Sequence, residues 1–130
     1  MLVLDVVGGE RVDAAGVRGL VGGVLGVVQA WLAEPVLAES RLVVVTRGAV
    51  AVEGEGAPVD LVGAAVGGLL RSVQAENPGR VVLVDVDDAV ESGELLGAVS
   101  VLDEPQVAVR GGVCFVRRLA RVGAGGADAA

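Results

Sequence analysis

Two stretches decide the fold of this chain, Leu42-Val-Val-Val-Thr46 and Val81-Val-Leu-Val-Asp-Val86. Both are near-continuous in valine and leucine, with no apolar–polar alternation. A strand that shows one face to water alternates, whereas a parallel strand covered on both faces does not. Outward from this pair, Leu2–Val7 has the same character, and Val107–Val109 is a shorter version that can continue as a hairpin into Val113–Val116.

The segments between these runs have helical spacing. Val17, Leu20, Val21, Val24, Val28, Trp31 and Leu32 recur every three or four residues, and Asp13 stands at a capping position before them. Gly16, Gly19, Gly22, Gly23 and Gly26 interrupt this helix. Each costs up to about 1 kcal/mol relative to alanine, so the helix depends on tertiary burial, and its small residues allow close approach to a sheet. A second helix is expected to start near Pro58–Asp60, to turn Leu61, Ala65, Leu69 and Val73 inward, and to stop at Asn77-Pro78-Gly79. A third, from about Ala89 to Leu102, would bury Val90, Leu95, Val99 and Leu102. The loop Gly48–Ala57 has room for a short extension at Val50–Val52.

Strands alternating with helices imply right-handed crossovers and a mostly parallel sheet flanked by helices. The expected fold is α/β and Rossmann-like, with one domain over residues 1–122 and a flexible tail over 123–130.

Composition narrows the function. The chain has 130 residues, 17 acidic against 10 basic side chains, and a net charge of −7. Nucleic-acid binding needs clustered cations, and the short group Arg117, Arg118, Arg121 is a poor substitute, so nucleic acid is not an expected partner. The closest candidate for a membrane span, Gly19 to Ala33, is too short and contains Gln29. Without a secretory leader, and with Cys114 as the one cysteine, the expected compartment is the cytoplasm. The apolar fraction, 53% before 21 glycines are added, means either an unusually aliphatic core or apolar surface intended for a partner.

Ligands of open parallel sheets bind beyond the carboxyl ends of the strands. Gly8 and Gly9 follow the first strand, but the glycine spacing of a dinucleotide site is missing and Glu10 sits where phosphate would approach. Thr46, Arg47 and Gly48 follow the second. Arg47 could hold an anion, or could simply begin a surface loop. Asp85, Asp87 and Asp88 end the third, where carboxylates could take a magnesium ion but more readily cap a helix. Thr46, Arg47, Gly48 and Asp85 are thus the candidate ligand or interface positions. Cys114, in an apolar strand and with no histidine in the chain to activate it, reads as a buried small hydrophobe. Hydrolysis by Ser–His–Asp lacks its histidine, and reduction by Ser–Tyr–Lys lacks both tyrosine and lysine. No catalytic or metal site is expected.

Longer phrases carry a resemblance. Arg41-Leu-Val-Val-Val-Thr-Arg-Gly-Ala-Val50, Gly63-Ala-Ala-Val-Gly-Gly-Leu-Leu-Arg-Ser-Val-Gln-Ala-Glu-Asn-Pro-Gly-Arg80, Glu104-Pro-Gln-Val-Ala-Val-Arg110 and Arg117-Arg-Leu-Ala-Arg121 occur in the order seen in the ketoreductase region of bacterial modular polyketide synthases. From about Leu2 to Arg121 the chain resembles the structural, N-terminal half of such ketoreductases. It departs from the family pattern at Gly67, where a tryptophan is usual, and Met1-Leu-Val-Leu-Asp5 looks like an internal strand of that half, so the fold is expected to be truncated.

The resemblance implies a short-chain-dehydrogenase-like fold and no cofactor on this chain, with NADPH bound by the catalytic half. It also implies neighbouring synthase domains as partners, and a role in bracing the half that reduces a β-ketoacyl chain on an acyl carrier protein. An unfinished sheet could also self-associate through its exposed edge. The alternative is a self-standing small-ligand or protein-binding module using Thr46–Gly48 and Asp85–Asp88.

Overall fold

A computed structural model describes residues 2–6, 13–52, 54–56, 60–87, 97, 103–119 and 121. The described elements are β1 (Leu2–Asp5), α1 (Ala14–Ala33), a 3-10 turn (Pro35–Leu37), β2 (Leu42–Arg47), α2 (Leu61–Glu76), β3 (Val81–Val86), β4 (Gln106–Arg110) and β5 (Val113–Val116). The five strands form one sheet in chain order, parallel from β1 to β4, with β5 antiparallel at the edge. The expected α/β, mostly parallel sheet is therefore present. The expected third helix (apart from Gly97, which is helical), the Gly8-Gly9-Glu10 turn and the tail at 123–130 lie outside the described residues.

Both faces of the central strands are buried, as their unbroken apolar runs require. Leu42 and Val44 of β2 and Val81 and Leu83 of β3 point to one side, where α1 and α2 bring Val24, Val28, Trp31, Val66, Leu70 and Val73. Val43, Val45, Val82, Val84, Val86, Val107 and Val109 point to the other and form a second buried cluster, to which neither α1 nor α2 contributes.

In α1 the expected stripe is present. Asp13 caps it by accepting from the Gly16 amide at 2.7 Å, and Val24, Val28 and Trp31 are buried. Its glycines do not press on the sheet, contrary to the expectation of close packing. A Cβ added at Gly19, Gly22, Gly23 or Gly26 would meet nothing within 4 Å, so they lie on the open side. The membrane expectation is also corrected in its reasoning. At 20 residues α1 is long and apolar enough to cross a bilayer by length and composition. It seats its Val24–Val28–Trp31 side in the core and leaves most of its remaining surface open.

In α2 the inward stripe is shifted by one residue at its first three positions, while Val73 is buried as expected. Val62, Val66, Leu70 and Val73 are buried, while Leu61 is 60% exposed and Ala65 and Leu69 are half-buried. Apolar residues occur in adjacent pairs at 61/62, 65/66 and 69/70, so periodicity alone fits either row. The cap decides: Asp60 accepts from the Gly63 amide at 2.9 Å and fixes the rotation of the first turn against Ala49. At the other end, Asn77 closes the helix onto the Val73 carbonyl and Gly79 takes a positive φ of 78°.

The β4–β5 hairpin turns through Gly111 and Gly112, both at positive φ (55° and 78°), which suits a two-residue turn between twisted strands. Cys114 is exposed, against the expectation of burial. The strand is apolar but stands at the sheet edge, and all four of its residues are exposed. No strand forms at Val50–Val52.

Candidate functional site

Parallel register places Thr46 of β2 directly opposite Asp85 of β3, and Asp85 opposite Ala108 of β4. All three share the helix-bearing face at the carboxyl ends of the strands. Arg110, two residues beyond Ala108 on that face, folds back across the strand ends. Asp85 is 2% exposed. A carboxylate so deep is tolerated only when paired and hydrogen-bonded. Its Oδ1 accepts from the Thr46 hydroxyl at 2.6 Å and the Ala49 amide at 2.9 Å. Its Oδ2 accepts from Arg110 Nη2 at 2.5 Å and more weakly from the Val50 amide at 3.4 Å.

Arg110 spends its donors within the molecule. Nη2 also donates to the Val50 carbonyl at 3.0 Å, Nη1 to the carbonyls of Asp85 and Val109 at 3.0 and 3.1 Å, and Nε to Glu55 at 3.0 Å. Burial would lower its proton affinity. The hydrogen bond and charge of Asp85, followed by those of Glu55, outweigh this and hold the guanidinium above its usual range. A charged fork thus ties the loop after β2, through Val50 and Glu55, to β3 and β4.

Of the four candidate positions, the structure brings together Thr46 and Asp85, whose hydroxyl and carboxylate bond each other. Gly48 adjoins them with its backbone, at φ 68°: its amide donates to the Val86 carbonyl at 3.3 Å, and its carbonyl accepts from the Asp60 amide at 3.0 Å. Its left-handed φ suits glycine. Arg47 points away, half-exposed, with Nη2 at 3.9 Å from Asp5 and Nη1 at 3.4 Å from the Asp87 carbonyl. Asp87 accepts from the Gly111 amide at 2.8 Å and secures the hairpin turn, while the start of the helix it was read to cap lies outside the described residues. Asp88 lies outside the described residues. Among the described residues no group of three or more acidic or cysteine side chains could hold a metal ion.

Sequence reasoning missed Arg110 and Glu55. The signal for Arg110 was its place one residue past an apolar strand and just before a two-glycine turn, on the same alternating face as Ala108. Glu55, in an irregular loop 55 residues away in sequence, left no such signal.

Comparison with known proteins agrees with this geometry. The family described as the Rossmann fold domain of polyketide synthase extender module SpnB matches residues 1–119. Polyketide synthase GfsA of Streptomyces halstedii is 51% identical over 107 residues, 82% of this chain and 1% of that protein. GfsB of the same organism is 55% identical over 91 residues, 70% of this chain and 2% of its own length. Mycoketide-CoA synthase of Mycobacterium tuberculosis is 48% identical over 105 residues, 81% of this chain and 2% of its length. The chain therefore spans only a small fraction of the relatives it matches. A match across 119 of 130 residues, on a mostly parallel sheet, establishes that this chain belongs to the family of polyketide synthase extender-module Rossmann-fold domains.

Proposed function

We propose that this domain is a non-catalytic scaffold, the structural half of a ketoreductase, which braces a separate NADPH-binding catalytic half within a polyketide synthase. The observation that carries the reading is the Asp85–Arg110 network. It occupies the strand ends, where an open parallel sheet takes its ligand. There the chain's own guanidinium and backbone amides satisfy the buried carboxylate, and a cofactor phosphate would meet Asp85 and Glu55, two acids. In this reading β-ketoacyl reduction belongs to the partner half, and this chain supplies stability and orientation.

Helix α1 is the natural bracing surface. It carries exposed glycines with open space above them, and Val27 on the same helix is 44% exposed. An isolated glycine-rich helix is weak in water, and a covering partner would offset that cost.

The test is to co-purify the 130-residue chain with a separately expressed ketoreductase catalytic half and to follow NADPH oxidation with a ketone substrate. Co-elution with raised activity or a raised melting temperature is expected, and Gly22→Trp with Gly26→Trp should abolish both while the circular dichroism stays unchanged. A catalytic half that is equally stable and active without this chain, and does not bind it, would overturn the reading. So would NADPH turnover by this chain alone.

A further inference from the structure

The amino ends of the strands carry a second feature, which neither the Asp85 network nor the bracing surface uses. A groove of about 620 Å³ opens there between the end of α2 and the entries of β3 and β4. Its floor is apolar, with Ala75, Val81 and Pro105, and Gln74 crosses it to donate to the carbonyls of Val81 and Pro105 at 3.0 and 2.6 Å. Three arginines, Arg41, Arg71 and Arg117, stand around it.

The charge accounting of this groove is unusual for so acidic a chain. Arg71 makes no hydrogen bond or ion pair among the described residues. Arg117 donates only to the neutral Gln106 side chain, at 3.2 Å. Of the two acids on the rim, Glu104 is already held by Arg118 at 2.5 Å, which leaves Asp103 as the rim carboxylate without a guanidinium. Against a net charge of −7, Arg71 and Arg117 stand beside an apolar floor with no hydrogen bond to a carboxylate among the described residues. Charged groups so placed select an oppositely charged partner and speed its encounter.

We infer that this groove is a docking site for an acidic segment of a partner protein. Carboxylates of the segment meet Arg71 and Arg117, and its apolar side chains lie on Ala75, Val81 and Pro105. The inference does not depend on the bracing role, because it concerns the opposite end of the sheet and a different surface.

The probe is a short fluorescein-labelled peptide of glutamate and leucine, titrated with the 130-residue chain by fluorescence anisotropy beside a lysine–leucine counterpart. Saturable binding of the acidic peptide alone is expected, weakening as salt rises. Arg71→Glu with Arg117→Glu should weaken it by about tenfold or more, since reversed charges leave like signs opposed. Arg18→Glu, on α1, should leave it unchanged. Amide shifts on adding peptide should cluster at Gln74 and Ala75, which locates the site even if the double variant misfolds. Equal binding of both peptides, binding unaffected by the double reversal, shifts elsewhere, or no binding at all would each overturn the inference.

Discussion

The two ends of this sheet solve the same problem in opposite ways. At the carboxyl ends a buried carboxylate, Asp85, is matched by a hydroxyl, two amides and the Arg110 fork, all from the chain itself. At the amino ends the arginines sit on open rims, and the fixed contacts are single bolts. Gln74 holds α2 to two carbonyls. Arg80 lies 4.4 Å from the Trp31 ring centre and donates to the carbonyls of Ser40 and Leu37 at 3.3 and 3.0 Å. The difference separates polar groups that the chain itself pairs from charge that it leaves at the surface. A Rossmann sheet normally offers its carboxyl ends; here, among the described residues, the ends of β2, β3 and β4 are joined by the chain's own hydrogen bonds.

This contrast can be broken or sharpened by substitution. The largest effect is expected from Arg110→Ala, which leaves Asp85 buried without its cation. Such losses cost about 3–5 kcal/mol, and the 13% exposure of the Arg110 side chain places this one near about 3 kcal/mol. Urea unfolding measures it. Arg110→Lys should recover only part, because one ammonium cannot reach Asp85, the Val50 carbonyl and Glu55 together. Full stability in Arg110→Ala would mean that the strand ends are not closed by this pair.

A smaller loss is expected at the amino end. Gln74→Ala removes a part-buried hydrogen bond to the Val81 carbonyl and an exposed one to that of Pro105, and should cost about 1–2 kcal/mol in the same measurement. A loss as large as that of Arg110→Ala would erase the distinction between a buried ionic closure and a local bolt.

The smallest effect belongs to the exposed pair of Glu104 and Arg118. The Arg118 hydrogen bond, opposed by desolvation and then helped by the Arg118 charge, holds the Glu104 carboxyl below its ordinary range. A carboxyl with a depressed folded pKa stabilises the fold above its unfolded pKa, and that contribution fades as pH falls through the folded value. The stability difference between the wild type and Arg118→Ala should therefore shrink on acidification. Carbon-detected NMR of Glu104 should show its titration moving up in Arg118→Ala. An unmoved midpoint would remove the pair from the account.

The helices show how far patterning could be read. The stripe of α1 was legible in Val24, Val28 and Trp31, which recur at helical spacing and are buried, although Leu25, Val27 and Leu32 stand beside them. In α2, paired apolar residues made two adjacent rows equally good, and only the Asp60 cap and contact with Ala49 chose Val62, Val66 and Leu70. The glycines of α1 illustrate a second limit. Composition shows that they weaken the helix, but whether small residues face the sheet or open space depends on the rotation of the helix over β1 and β2. Cys114 failed for a related reason: an apolar strand in the middle of a sheet is buried, and the same residues at its edge are not.

Sequence by itself determined the strand positions, the parallel character of the core, the Asp13 cap of α1 and the absence of the histidine, tyrosine and lysine that familiar catalytic sets require. These follow from local composition and period, which act over a few residues. Tertiary structure alone decided what the polar strand ends are for. Thr46, Asp85, Arg110 and Glu55 come from four separate stretches of chain, and only strand register and the fold of the β2–α2 loop bring them within hydrogen-bond distance. A carboxylate at a strand end is a ligand site if its partners are missing and a clasp if they are present, and that depends on contacts that no short window of sequence contains.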